Sequence, residues 1–202
     1  MRWLLFAGDS VTDSGRTFFA PDVAAGHLGD GWVRVVAALL GARRPGAHEV
    51  RNAGVSGDRV ADLADRWERD VVAHEPHVLT ILIGVNDVLL EPRTGDVAFE
   101  QAYRRILERV PPSVERLVIA EPFILPVDER TEALRRAAEP HLEVVRSLAV
   151  ETGALRVPLV ERFDEACQQA PATWWATDGI HPTAAGHGLI AETWLTAMAD
   201  HL

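Results

Sequence analysis

Residues 4–10, Leu4-Leu5-Phe6-Ala7-Gly8-Asp9-Ser10, decide the fold. A short apolar run that ends abruptly in Gly-Asp-Ser is typical of a buried parallel strand. The carboxyl end of such a strand brings the Ser10 hydroxyl to the crevice where open α/β sheets bind ligands. Alone, the stretch also fits a simpler interpretation, in which Asp9 or Ser10 only caps the next helix. Three later stretches, each also after an apolar run, favour the first interpretation.

The rest of the chain alternates short apolar strands with helices. Further strands are predicted at 49–53, 78–83, 117–120 and 154–157. The run 78–83 shows no polar alternation, so we expect it to be buried on both faces at the centre of a parallel sheet. Five strands that alternate with helices predict an α/β fold with a doubly wound, mostly parallel sheet. A strand order of 2-1-3-4-5 brings the ends of strands 1, 2 and 3 to one crevice.

Apolar residues that recur every three or four positions place the helices. We predict helices at 32–40, from 58 to about 71, at 99–110, at 134–149, at 161–169 and from about 183. Gly41 is expected to end the first helix, and Asp58 is expected to cap the second. Pro140 is expected to kink or split the long helix, because proline removes a hydrogen bond from a helix interior. Residues 11–31 are expected to form a polar loop.

Length and composition limit the functions that the chain can have. Its 202 residues suit a single domain, residues 1–202. The net charge of −10 disfavours nucleic acid and anionic membrane surfaces as partners, so we expect a small neutral substrate. Cys167 is the only cysteine, which excludes an intrachain disulfide and a multi-cysteine metal site.

Two further features bear on location and assembly. The apolar run before Gly8 is shorter than the core of a signal peptide, and no stretch approaches the length of a membrane span. We therefore expect a cytoplasmic protein. Six tryptophans exceed what a small core needs, which favours a subunit contact and a homo-oligomer.

Three polar residues fit the requirements of acyl transfer from a serine. That chemistry needs a hydroxyl, a base to take its proton, and a carboxylate to orient the base. Ser10 is the candidate hydroxyl, and His181 is the candidate base because imidazole titrates near neutral pH. Asp178 lies three residues before His181 and can fold back onto the ring in one turn, which Gly179 makes feasible.

Donors to the oxygen that becomes charged are the fourth requirement. The candidates are the backbone N–H groups of Ser10 and Gly54 and the side-chain amide of Asn86. Glycine at position 54 is expected to let the backbone approach substrate without a Cβ in the way. Each member also has a simpler interpretation: Gly54 as a turn glycine, Asn86 as a helix cap, and residues 178–181 as an ordinary loop. The joint occurrence of the set favours the catalytic interpretation.

Other conspicuous side chains receive no catalytic role. His74 and His77 flank a proline with no third ligand evident, so we predict no metal and no cofactor. His187 is expected to lie on the last helix, where it packs or faces solvent. Trp174 and Trp175 either form the floor of a sugar site or pack the loop, and we retain both as candidate substrate-binding residues.

Four blocks of this sequence resemble those of the GDSL, or SGNH, hydrolase family. They comprise residues 8–10 with 13–16, then 52–57, 84–87 and 178–182. The resemblance implies a flavodoxin-like, three-layer α/β/α fold and a Ser-His-Asp triad without a metal. Ser10, Gly54, Asn86 and His181 match the four residues that give the SGNH family its name. Val11 stands where the GDSL name has leucine, which leaves the chemistry unchanged.

Residues 62–67 and 83–88 add a likeness to bacterial acetylxylan esterases and related carbohydrate acetylesterases, which include intracellular members. The resemblance implies a serine esterase that releases acetate from acetylated xylo-oligosaccharides or related carbohydrates. A lysophospholipase or acyl thioesterase of the same family, with a longer acyl pocket, is the nearest alternative. The other alternative is a non-catalytic carbohydrate-binding module.

Overall fold

Five parallel strands form the sheet in a computed structural model, which describes residues 1–17, 26–90 and 96–202. The strands are β1 (Arg2–Gly8), β2 (His48–Gly54), β3 (Val78–Leu82), β4 (Arg116–Ala120) and β5 (Leu155–Val157). Their order in the sheet is β2-β1-β3-β4-β5, so the predicted α/β fold and strand order are confirmed.

The register of the three neighbouring strands places their ends level with one another. Gly8, the last residue of β1, pairs with Gly54 of β2 on one side and with Leu82 of β3 on the other. Because all three strands are parallel, the segments that follow them leave the sheet at the same edge. Those segments include Ser10 and Asn86.

Helices cover both faces of the sheet. Those near the first three strands are α1 (Ser10–Asp13), α2 (Trp32–Arg43), α3 (Val60–Asp65), α4 (Trp67–Asp70) and α5 (Val85–Leu90). They are followed by α6 (Asp96–Leu107), α7 (Glu129–Thr152), α8 (Leu159–Cys167), α9 (Ala172–Trp175) and α10 (Ala184–Ala197). Single 3₁₀ turns lie at Gly26–Leu28 and Val72–His74.

The alternation of side chains along β1 divides the core into two layers. Phe6 lies on one side of the sheet with Trp32 of α2 and Trp194 of α10, and its ring centroid is 5.0 Å from the first and 5.2 Å from the second. Leu5 and Ala7 point to the other side, toward α3, α4, α6 and α7. All five residues of β3 are buried, as its unbroken apolar run predicts.

Two helix boundaries near the amino terminus differ from those that the sequence indicated. Residues 11–13 form the helical turn α1 rather than loop, because the Asp9 carboxylate accepts the Val11 N–H at 3.0 Å and caps the turn. Helix α2 continues through Gly41 to Arg43. It ends one residue earlier than Arg44, the residue before Pro45, for which the α conformation is unfavourable.

Two later helices also correct the sequence-based expectation. Asp58 does not cap α3, whose first flanking residue is Arg59; the Asp58 carboxylate instead binds Arg66 Nε at 2.6 Å. At Arg66 the predicted helix breaks into α3 and α4. Pro140 does not split α7, which continues over 24 residues. The proline is exposed, so water can satisfy the carbonyl that loses its helical donor.

Half of the six tryptophans are fully buried within the chain itself. Trp32, Trp67 and Trp194 lie in the two core layers, whereas Trp174 is 60% exposed. The homo-oligomer therefore stays a prediction with less support from tryptophan content than the sequence offered. Within the described ranges, no helix is both long and apolar enough to cross a bilayer.

Candidate active site

The nucleophile predicted from the sequence lies where β1 ends and α1 begins. Ser10 is the first residue of α1, directly after Asp9, and its side chain reaches the loop before α10. Ser10 Oγ lies 3.0 Å from His181 Nε2, although 171 positions separate the two residues in the chain. The structure thus brings the predicted hydroxyl and the predicted base within hydrogen-bond distance.

Asp178 holds the imidazole from the other side. Its Oδ2 lies 2.7 Å from His181 Nδ1, and its Oδ1 accepts the backbone N–H groups of Ile180 at 2.9 Å and His181 at 2.7 Å. Both carboxylate oxygens are therefore engaged by Ile180 and His181. With the Asp178 carboxylate accepting from Nδ1–H, the neutral ring presents Nε2 to Ser10 as an acceptor.

The ionisation of Asp178 suits this arrangement. Burial raises the pKa of the Asp178 carboxyl, but hydrogen bonds from the His181 ring and from the two backbone N–H groups together outweigh burial and leave the pKa below its ordinary value. Asp178 is thus negatively charged at neutral pH and can stabilise a protonated His181 ring.

Gly179 shapes the turn between the carboxylate and the ring. Its φ of +79° lies in the left-handed region, which side chains with a Cβ rarely adopt. A Cβ there would also lie 2.5 Å from the carbonyl oxygen of Leu125 and 2.9 Å from Thr131 Cγ2. The turn is fixed further by a hydrogen bond from the Leu125 N–H to the Gly179 carbonyl, at 2.7 Å. Only glycine fits this position without strain.

The predicted oxyanion donors lie at the ends of the strands, but they differ in how free they are. Within the described part of the chain, the Ser10 N–H, the first in α1, makes no hydrogen bond. One N–H of the buried Asn86 amide donates to the Asp58 carbonyl at 2.9 Å, and the amide has a second N–H to offer. The Gly54 N–H donates to Asn52 Oδ1 at 2.8 Å, so this donor has a partner already.

Gly54 is also required for a reason that the sequence did not indicate. A Cβ at this position would lie 2.3 Å from the Asp13 backbone nitrogen and 2.8 Å from the Thr12 carbonyl carbon. The close approach is therefore between two backbones of the protein, β2 and the end of α1. It brings residues 52–57, one of the four matched blocks, against the segment that holds Ser10.

Several residues that the sequence did not single out hold this segment in place. Asn52 Nδ2 donates to the carbonyls of Thr12 at 2.6 Å and Leu28 at 2.8 Å. Asp13 accepts the N–H and hydroxyl of Ser56, at 3.0 and 2.6 Å. The only sequence feature that could have identified these residues is their position inside the matched blocks. Residue type alone does not distinguish a polar side chain that supports the site from one on the surface.

Arg16 and His187 complete the support of the nucleophile segment. Arg16 Nε donates to the Gly54 carbonyl at 2.5 Å and so joins the segment after Ser10 to the end of β2. His187 Nδ1 accepts the Trp32 N–H at 3.2 Å, and its Nε2 lies 3.5 Å from Ser14 Oγ. Burial, and to a lesser extent the charge of His181, lowers the pKa of His187 to about 4, so its ring is neutral.

Asp9 is a buried carboxyl beside the nucleophile. It is 2% exposed, and burial raises its pKa from 3.8 to about 7. The Val11 N–H opposes this shift, whereas the nearby carboxylates of Asp87 and Asp58 add to it. Asp87 itself has a pKa raised to about 6, again mainly by burial.

The remaining candidates lie outside this constellation. His77 Nδ1 accepts the Trp3 N–H at 3.1 Å, and His74 Nδ1 lies 2.6 Å from an Arg51 nitrogen. No three His, Cys, Asp or Glu residues of the described ranges are grouped to hold a metal. Trp175 packs against the core, whereas Trp174 is exposed on α9, the helix that precedes the Asp178 turn.

Similarity to known proteins agrees with this geometry. Residues 6–189 match the GDSL-like Lipase/Acylhydrolase family. An acetylxylan esterase of Geobacillus stearothermophilus is 34% identical over 201 residues, covering 95% of this chain and 91% of that protein.

Solved structures extend the agreement to three dimensions. The crystal structure of Axe2, an acetylxylan esterase from Geobacillus stearothermophilus, has a TM-score of 0.89 and 33% identity, covering 98% of this chain and 94% of that one. LAE5, an alpha/beta hydrolase enzyme from the metagenome of Lake Arreo, has a TM-score of 0.89 and 31% identity, covering 98% and 95%. The family predicted from the sequence blocks is thus confirmed: the chain belongs to the GDSL-like lipase/acylhydrolase family and is a carboxylic ester hydrolase.

Proposed function

We propose that the chain is an acetyl ester hydrolase that deacetylates acetylated xylo-oligosaccharides or related small carbohydrates. The observation on which this depends is the hydrogen-bonded series from Ser10 Oγ through His181 to Asp178, at 3.0 and 2.7 Å. The similarity to an acetylxylan esterase over 95% of the chain supports acetate as the acyl group and a carbohydrate as its carrier. The net charge of −10 also suits an uncharged substrate.

In the proposed acylation step, Ser10 Oγ attacks the acetyl carbonyl carbon while His181 Nε2 takes the hydroxyl proton. Asp178 holds the ring in the tautomer that accepts this proton and stabilises the imidazolium. Collapse of the tetrahedral intermediate breaks the bond to the sugar oxygen, which leaves with the proton from His181. The product is an acetyl ester of Ser10.

The second step is hydrolysis of that ester. A water molecule loses a proton to His181 and attacks the acetyl carbon, and the Ser10 oxygen leaves with the returned proton as acetate departs. In both steps the developing oxyanion lies among the Ser10 N–H, the Gly54 N–H and the Asn86 amide. Because Asn52 Oδ1 already accepts the Gly54 N–H, that donor must be shared with or released by Asn52 to contribute.

Trp174 is the residue that we propose for contact with the sugar. It is 60% exposed, and the carbonyl of Trp174 accepts the Thr183 hydroxyl at 2.7 Å, two residues beyond His181. Flat aromatic side chains pack against the apolar faces of sugars. We assign Trp175 the packing role, since it lies against the core.

The test replaces Ser10 by Ala and measures acetate release from acetylated xylo-oligosaccharides and turnover of p-nitrophenyl acetate. Both are expected to fall to near background. Ser147→Ala is the matched control, because Ser147 is an exposed serine of α7 and has no place in the proposed site. Retained turnover in Ser10→Ala would refute the assignment of the nucleophile.

Two further measurements separate the alternatives. A lysophospholipase or acyl thioesterase would prefer p-nitrophenyl octanoate over p-nitrophenyl acetate. An acetyl-sized site would reject the octanoate. A non-catalytic carbohydrate-binding module would not react with a fluorophosphonate, which is expected to label Ser10 covalently.

A further inference from the structure

One buried guanidinium lies behind the ends of β1 and β2. Arg66 is 8% exposed and occupies the break between α3 and α4. One terminal nitrogen donates to the Gly8 carbonyl at 3.1 Å, and the other donates to the Ala53 carbonyl at 2.8 Å. These carbonyls lie immediately before the backbone segments that present the Ser10 and Gly54 N–H groups. The two strand ends are thereby joined to one rigid side chain.

Arg66 is also linked, through Asp58, to the third proposed donor, the Asn86 amide. Arg66 Nε donates to the Asp58 carboxylate at 2.6 Å. The backbone carbonyl of Asp58 in turn accepts the Asn86 amide at 2.9 Å. The guanidinium thus contacts the segments of the first two proposed oxyanion donors directly, and it is linked to the third donor through Asp58.

We propose that Arg66 is a positioning residue for the oxyanion donors, fixing the spacing of the Ser10 N–H, the Gly54 N–H and the Asn86 amide. This inference rests on the proposed function. A planar guanidinium has three nitrogens at fixed positions, so it can donate to two carbonyls and a carboxylate that lie apart from one another, whereas an ammonium group offers its donors from a single nitrogen. Its charge is offset by Asp58 and by Asp70, whose carboxylate lies 3.1 Å away. The role is therefore one of geometry.

The first test replaces Arg66 by Lys, which keeps the charge but has a single nitrogen. Interactions with the oxyanion form only in the transition state, so their misplacement lowers kcat with little change in KM. We expect kcat for p-nitrophenyl acetate to fall about 10- to 100-fold, with KM within about twofold of wild type. A wild-type kcat, or a loss confined to KM, would overturn the proposal.

Arg146→Lys is the matched control. Arg146 Nε donates to the fully buried Glu121 carboxylate at 2.8 Å, so this change also disturbs a guanidinium that holds a buried acceptor. It is expected to lower the melting temperature and leave kcat unchanged. A similar loss of kcat in both variants would show that Arg66 acts only through general stability, and would also overturn the proposal.

A double-mutant cycle with Asn86→Ala tests whether Arg66 acts through the donors. If it positions them, Arg66→Lys should cost a smaller factor in kcat when Asn86 is already absent than when it is present. If the two substitutions act independently, the factors by which each lowers kcat multiply in the double variant. Multiplicative losses in the double variant would therefore contradict the proposal, whatever the size of the single effects.

Asp58→Asn provides the same test if Arg66→Lys does not fold. It weakens the hold on Nε and leaves the guanidinium in place, so a several-fold loss of kcat is expected, and a wild-type kcat would overturn the inference. Wild type and Ser10→Ala are assayed alongside. A wild-type protein without turnover refutes the proposed function and this inference together, whereas an active wild type with fully active Arg66 and Asp58 variants refutes this inference alone.

Discussion

Replacing Asp9 by Asn is expected to stabilise the folded protein at neutral and alkaline pH and to change little in acid. Asp9 is 2% exposed, and burial raises its pKa to about 7. In the unfolded chain the same carboxyl titrates near 3.8. Between these values the folded protein binds the additional proton, so the contribution of Asp9 to stability declines as pH rises.

The structure sets the size of this effect. A shift of about three pKa units, at about 1.36 kcal/mol each, gives an upper limit of about 4 kcal/mol above pH 7. Asparagine copies the shape of the protonated carboxyl and keeps an oxygen that can accept the Val11 N–H, as Asp9 Oδ1 does at 3.0 Å. It has no proton to lose. The variant should therefore avoid most of the destabilisation that ionisation of Asp9 causes.

Urea unfolding of both proteins at about pH 4, 6 and 8 measures the difference in the free energy of unfolding. The difference should rise from near zero to several kcal/mol in favour of Asp9→Asn. Other titrating groups, including Asp87 and His187, are present in both proteins and largely cancel. Asp65→Asn, a change at an exposed carboxylate, is the control and should show no such rise. A difference that is flat or falls with pH would refute the reasoning.

Four more outcomes follow from individual contacts. Asn86→Ala removes one oxyanion donor and should lower kcat about 10²- to 10³-fold in steady-state assays; an unchanged kcat would exclude that role. Gly179→Ala forces a side chain into a φ of +79° and should lower both melting temperature and kcat, whereas a fully active, equally stable variant would contradict the turn geometry. The folded pKa of His187, about 4, lies below its unfolded value of 6.5, so wild type should lose stability as pH falls from about 6.5 to 4. His187→Gln should lose less, as unfolding at both pH values would show. Trp194→Phe removes the donor to Thr80 Oγ1, a buried contact of 3.0 Å, and should cost about 1–3 kcal/mol in urea unfolding; a cost near zero would mean that the contact is dispensable.

The strands and the site could be predicted from sequence because both depend on local patterns. An unbroken apolar run such as 78–83 indicates a buried strand, and the order of strands follows from the preferences of doubly wound sheets. Ser10, Asn86 and His181 each lie within a recognisable block, so their convergence could be inferred from the sequence. The supporting roles of residues that do not contact substrate could not be predicted from these local patterns.

The predictions that were wrong concern helix ends at which tertiary contacts outweigh the local conformational preference of a residue. Asp58 has the residue type of a helix cap, yet the buried guanidinium of Arg66 binds its carboxylate. Gly41 is a common helix terminator, but its exposed position in α2 imposes no left-handed turn, and the helix continues to the residues before Pro45. The bracing role of Asn52 depends on the carbonyls of Thr12 and Leu28, which no local pattern reveals.

The separation of Ser10 and His181 by 171 positions has a consequence for biosynthesis. Chains emerge from the ribosome amino terminus first, so the hydroxyl is exposed long before the imidazole has been translated. The ring of Phe6 likewise cannot pack against Trp194, its neighbour in the core, until that later residue has been translated. On the proposed mechanism, a nascent or prematurely terminated polypeptide that lacks His181 has an unactivated serine, so reaction with a fluorophosphonate reports that folding has brought Ser10 and His181 together.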